Sequence, residues 1–320
     1  MNPLWLAKYK PISATFMEYG WFVAPFLIGA EFRAVEETAE YIARNPPTTE
    51  LDRKKLEERI YRSLVEPAFN PAYRARATWY GHQLNHMRDF NHLYESAMFC
   101  YYKREYAQTV LTLLAALEGI MLSFCRYNFD NTTKKPNIST IIDFIKESKS
   151  CFSHENPLAR GHDMYRDTLI DFLQRWIYNK TSEADFSLSV LNRHYVLHGM
   201  DAGEFYRPQD VHRLIFAFDL LIEFLSFQQT LFYTFLPNYG VDKFLDARRD
   251  YYVSLSRGEP TVAKSWEIER ELLKQHYRYV EPIHDPNIEE SIASQAALMS
   301  EIRELGQRVR AQTPLKGSKA

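Results

Sequence analysis

Residues 191–199 read Leu191-Asn192-Arg193-His194-Tyr195-Val196-Leu197-His198-Gly199. Arg193 carries a planar fork of donors that can grip a phosphate through two hydrogen bonds. His198, further along the same stretch, has the side chain best suited to give and take a proton near neutral pH. Together the two residue types can act on a phosphodiester without a metal ion. His194 stands one helical turn before His198, so both can face one site. Asn192 flanks them with an amide able to orient a substrate.

The surroundings add order to this short pattern. Arg88, Leu93 and Tyr106 precede Leu114-Ala115-Ala116-Leu117-Glu118-Gly119-Ile120. A variable stretch follows, then the Arg193…His198 segment, then a long apolar run to about residue 237. The segment resembles the Arg-x(4–6)-His motif of the HEPN superfamily, all-α domains that include many metal-independent ribonucleases. Its Asn-Arg-His start and His-Gly end match one bacterial form of that motif, in which a Leu-x-Glu-Gly-Ile-like stretch lies in the second helix. The resemblance covers residues 85–237, roughly half of the chain. The first and last 80 or so residues have no counterpart in it.

The resemblance implies roles for named residues. His198 would act as general base or acid when a ribose 2′-hydroxyl attacks the adjacent phosphate. A place in the last turn of a helix would favour its protonated form. Arg193 would hold the phosphate and the charge that builds on it. Asn192 and His194 would orient the substrate. Glu118 lies on an apolar stripe, where an unpaired carboxylate is costly, so it is expected to pair with Arg193 or His194. Arg193 and His198 are separated by roughly 140° on a regular helix. Either two motif helices meet in a homodimer, which is the family's usual arrangement, or the helix unwinds before Gly199. Two readings compete with catalysis. In one, the pair merely caps and solvates a helix end. In the other, the chain is an inactive HEPN module that binds nucleotides or a partner protein.

Two further clusters need weighing. His82, His86 and His92 have the His-x(3)-His-x(5)-His spacing of a zinc protease. Gln83 stands where the general base must be, and it cannot accept a proton from metal-bound water. Asp89 stands where the turn glycine belongs. No metal and no cofactor are therefore assigned. The stretch from Pro67 to Arg88 is free of acids and holds Arg74, Arg76 and Arg88 with Tyr73, Trp79 and Tyr80. Basic groups among stacking aromatics suit single-stranded RNA, and they suit a tyrosine-rich interface equally well.

The elements that must position these residues are legible from composition and periodicity. With 46% apolar and 15% aromatic residues, the 320-residue chain can bury a sizeable core. Only 11 Gly and long proline-free runs favour helices. Three scattered Cys, with no metal-ligand spacing, fit a reducing, cytoplasmic compartment. Lys8, Lys10 and Pro11 argue against a signal peptide, so the Asn-x-Ser/Thr sites at Asn131, Asn137 and Asn179 read as chance. The net charge of −2 gives no general attraction to RNA. Residues 214–236 are apolar enough to tempt a membrane reading, but Asp219 and Glu223 would be expensive against lipid. A helix buried within a bundle is expected there, and no membrane partner.

The periodic segments predict helices over residues 52–62, with Leu51, Leu56, Ile60 and Leu64 inward, and over 83–103, 106–129, 139–148 and 164–178. Others are expected from Ser182 to the motif, from Pro208 to Leu236, and over 241–256, 261–277 and 288–309. The last carries a short Leu298, Ile302, Leu305, Val309 seam. The expected fold is all-α, a HEPN-like helical bundle over residues 81–240. An N-terminal extension (1–80, mixed or helical), a C-terminal helical extension (241–312) and a disordered tail (313–320) surround it. The expected function is a metal-independent endoribonuclease, a toxin or phage-defence effector. Its partners would be an RNA substrate, a second copy of the chain, and an antitoxin or regulatory protein.

Overall fold

The computed structural model describes residues 3–23, 29–127, 134–152, 157–178, 191, 196, 207–229, 243–260, 264–265 and 267–273. Of the residues that can be interpreted, 79% are helical and none lies in a strand. The fold is all-α.

Local chemistry explains where several helices start. In the N-terminal part, α1 (Pro3–Met17) and α2 (Gly29–Arg44) pack on one another, and α2 packs on α3 (Glu50–Phe69). Thr49 caps α3 by accepting the Asp52 N–H at 3.1 Å, and the Asp52 carboxylate accepts the Thr49 and Thr48 hydroxyls in return. Those hydrogen bonds hold the Asp52 carboxyl below its usual pKa. Asn70 caps α4 (Pro71–Gly81) by accepting from the Ala72 and Tyr73 N–H groups, with Pro71 opening the helix. Asn137 caps α7 (Ile138–Glu147) in the same way through Thr140 N–H.

Leu56, Ile60 and Leu64 of α3 are buried as expected, but Leu51 is 62% exposed. Leu51 lies roughly 140° around the helix from Leu56, off the buried stripe.

The helix expected over residues 83–103 does not start where the periodicity places it. α4 stops at Gly81, and His86 takes a left-handed φ of 66°. Such a residue ends a right-handed helix. A short 3-10 turn (Arg88–Phe90) then leads into α5 (Asn91–Tyr102). The bare backbone of Gly81 leaves room for the Asn91 side chain, whose amide donates to the Thr78 carbonyl at 2.7 Å.

Helix α6 (Tyr106–Phe124) packs extensively on α5. Its stripe of Val110, Leu113, Leu114, Leu117, Met121 and Phe124 is buried. Among the described residues it is the one helix long and apolar enough to span a membrane, and most of it is buried within the protein. α8 (Pro157–Phe172) runs into a π-helical turn (Leu173–Ile177). α9 (Pro208–Ser226) is buried at every residue from Asp210 to Ser226 and packs against α3, α4, α6 and α8. It is the central helix expected from the apolar run 214–236, as far as that run is described. α10 (Lys243–Ser256) packs on α4 and α5.

Among the described residues one hydrophobic core includes side chains from Tyr9 to Leu272. One compact unit ends at Leu273, and residues 274–320 lie outside the described residues. The seam over residues 288–309, the tail and the helix expected from Ser182 lie there or in other undescribed stretches.

Gly119 shows how packing selects a residue type. A Cβ at Gly119 would sit 2.2 Å from the Phe90 ring. Alanine would gain about 1 kcal/mol of helix propensity there, against an overpacking cost of about 1–3 kcal/mol. Gly119→Ala is therefore expected to destabilise the protein in urea titrations. In a Phe90→Ala background the same change should stabilise it. Destabilisation in both backgrounds would show that Phe90 is not the constraint.

Candidate functional site

Asn192, Arg193, His194 and His198 lie outside the described residues. Their neighbours Leu191 and Val196 are described, at 1% and 2% exposure, and both belong to the main core. The motif's two apolar anchors are therefore buried.

Glu118 projects from α6 with its side chain 18% exposed, 2.5 Å from the Lys135 ammonium. Lys135 belongs to the polar stretch that precedes α7. Opposite charge at this distance stabilises the Glu118 carboxylate against partial burial. The expected pairing of Glu118 with Arg193 or His194 involves residues outside the described set. Lys135 is a partner the periodicity did not indicate, since the ion pair joins residues on different segments.

The proposed basic patch is dispersed by the fold. Arg74 is fully buried, and this corrects its assignment as an RNA contact. Its two terminal nitrogens donate to the two Asp219 oxygens at 2.9 and 2.8 Å, and one also reaches the Tyr94 hydroxyl at 3.3 Å. The reason is helical phase, because Arg74 lies on the same buried side of α4 as Ala75, Ala77 and Thr78. Burial lowers and Asp219 raises the Arg74 pKa, with a net upward shift, while burial raises the Asp219 carboxyl. The bidentate fork, with both carboxylate oxygens taken, identifies a charged pair. Arg76 is half-buried on α4, and Arg88 is exposed beside Asp89 at 3.7 Å. Tyr80 is in the core, and the Tyr73 hydroxyl faces Glu31 at 3.4 Å.

The histidine triplet does not share a helix face, because α4 ends before His82. The His86 ring stacks on Phe124 at 4.4 Å, and its Nδ1 lies 3.0 Å from the Ser123 hydroxyl. Burial holds its pKa below the usual histidine value. Among the described residues no group of three or more His, Cys, Asp or Glu side chains is placed to hold a metal ion.

Arg74–Asp219 is one of several buried ion pairs. Arg213 on α9 donates to Asp210 at 3.1 Å and pairs with Glu57 of α3, and its guanidinium lies 4.6 Å from the Trp21 ring. Arg248 of α10 pairs with Glu95 of α5 at 2.6 Å. The Tyr101 hydroxyl lies 2.6 Å from His212 Nε2, and burial, aided by Arg74, pushes the His212 pKa down to about 3. Glu223 is buried beside this set, and its carboxyl is raised well above the usual range by burial and then by Asp219. Asp219 was the one available sequence signal, since an acid in an apolar helix demands a cation. Nothing local says which cation.

No family model, curated protein or solved structure matches this chain.

Proposed function

We propose that this chain is a metal-independent endoribonuclease of the HEPN type. The observation that carries this reading is the Arg193-x(4)-His198 segment with its apolar neighbours Leu191 and Val196 buried in the core. The linear order supports it. Glu118-Gly119 lies on α6, the motif follows, and the apolar α9 comes next and packs on α6.

In this reaction His198 takes the proton of the ribose 2′-hydroxyl, and the 2′-oxygen attacks phosphorus. The bond from phosphorus to the 5′-oxygen breaks, and a protonated acid returns a proton to that leaving oxygen. Arg193 stabilises the charge on the phosphoryl oxygens. Asn192 and His194 orient the RNA, and the Glu118–Lys135 pair lies on the supporting helix. Because Arg193 and His198 diverge on a regular helix, the active species is a homodimer with a composite cleft. A toxin or phage-defence effector, held in check by an antitoxin or regulatory partner, fits a nuclease with little basic surface. The test is cleavage of total RNA in EDTA, wild type beside His198→Ala.

Light scattering should give twice the 37.8 kDa chain mass. A strict monomer that still cleaves RNA would refute the composite site.

The burial of Arg74 favours a second reading, an inactive HEPN module that binds nucleotides or a partner protein. It removes one of the three cations offered to RNA. In that case no cleavage is seen with either protein, while binding survives His198→Ala.

A further inference from the structure

The ends of α5 and α10 border a cleft of about 630 Å³. Small-molecule sites span about 300–1,000 Å³. We propose that this cleft binds a phosphorylated polyol of the sugar-phosphate class, with the phosphate held by Arg104 and Arg257.

The two helices end in the same way. At the end of α5, the Glu105 N–H donates to the Cys100 carbonyl at 2.8 Å and the Arg104 N–H to that of Tyr101 at 2.9 Å. At the end of α10, Glu259 donates to Ser254 at 3.1 Å and Gly258 to Leu255 at 2.9 Å. Both are Schellman ends, whose pivotal residue is left-handed and usually glycine. α10 obeys with Gly258 at φ 67°, whereas α5 places Arg104 there at φ 64°. A long side chain held at a glycine's position is strained, and such strain gathers at ligand sites.

Charge bookkeeping selects the anion's place. Lys103 is matched by Glu269 at 2.7 Å, which also accepts the Tyr251 hydroxyl at 2.8 Å. Among the described residues Arg257 forms an ion pair with Glu259 alone, at 3.5 Å and largely exposed. Such a pair is worth little. Arg104 is exposed and forms no ion pair among the described residues. Two guanidinium groups are thus open to a phosphate, which suits their fork. α6 starts right after Glu105, which supplies no side-chain cap, so its first-turn amides add positive potential. The carbonyl ends of α5 and α10 oppose an anion, but the Schellman hydrogen bonds occupy several of those carbonyls.

The remaining lining selects the rest of the ligand. Glu105 and the Ser256 and Ser265 hydroxyls offer acceptors to several ligand hydroxyls, and Pro260, with the buried Tyr102 and Leu255 behind it, offers an apolar side for a C–H face. A bare phosphate would use only the arginines.

Calorimetry on the full chain would use glucose 6-phosphate and ribose 5-phosphate as probes, beside inorganic phosphate, glucose and AMP. A sugar phosphate should bind saturably and more tightly than every control. Arg104→Gly should weaken it on the order of 10- to 100-fold, the worth of a charge-assisted hydrogen bond. Its melting temperature should hold or rise, because glycine is at ease at this φ. Arg257→Ala should weaken binding similarly. No saturable binding, unchanged binding in Arg104→Gly, or tighter binding of AMP or inorganic phosphate would overturn the proposal.

Discussion

Replacing His198 with alanine is expected to cut RNA cleavage by about 10²–10⁴-fold, the usual worth of a general acid or base. The variant should keep the helical circular dichroism of the parent, because the neighbours Leu191 and Val196, which are buried in the core, are unchanged. Arg193→Ala should be comparably damaging, and Arg193→Lys should also fail, since a point charge does not replace a bidentate fork. Products should end in 2′,3′-cyclic phosphate and DNA should stay intact, because the 2′-hydroxyl is the nucleophile. EDTA should change nothing. The His82, His86 and His92 variants should remain active, as His86 is engaged in packing on Phe124. Cleavage by His198→Ala at the parental rate, or its abolition by EDTA, would end the mechanism.

Arg74→Ala and Asp219→Ala are each expected to lose about 3–5 kcal/mol of stability, the cost of leaving one buried charge unmatched. Both side chains are at 0% exposure, and the pair links α4 to α9. Typical domains are stable by only about 5–15 kcal/mol, so either single change should bring the urea midpoint down steeply. Neither effect comes from pairing alone. The charge left behind must be desolvated without its partner, and for Arg74→Ala the Tyr94 hydroxyl also loses a contact. Arg74→Met combined with Asp219→Leu removes both charges and keeps volume. That double variant should recover most of the loss, as replacement of buried pairs by apolar groups often does. Single variants within about 1 kcal/mol of the parent would show that water reaches this pair or that the chain rearranges around it.

What the sequence determined by itself is what adjacent residues decide. Pro208 marks a helix start in the sequence, and the caps at Thr49, Asn70 and Asn137 are likewise local, because capping is a bond between residues two or three apart. The stripes on α3 and α6 follow from spacing within one helix, and the apolar run of α9 had to be interior because its acids forbid lipid. The all-α class follows from the same local signals. The chemistry of the Arg193–His198 segment was likewise legible only as residue types and spacing.

Tertiary structure decided everything that depends on helical phase and on distant partners. Arg74 looked like a surface cation in an acid-free stretch, yet the face of α4 that carries it points at Asp219, 145 positions away in the chain. Leu51 looked like core and falls off the stripe. The break at His86 replaces a helix that periodicity extends, because nothing in a histidine announces a left-handed φ. Glu118 found Lys135, and Gly119 is small because Phe90 lies over it. The cleft beside Arg104 arises only where the ends of α5 and α10 come together, a meeting that no local pattern encodes.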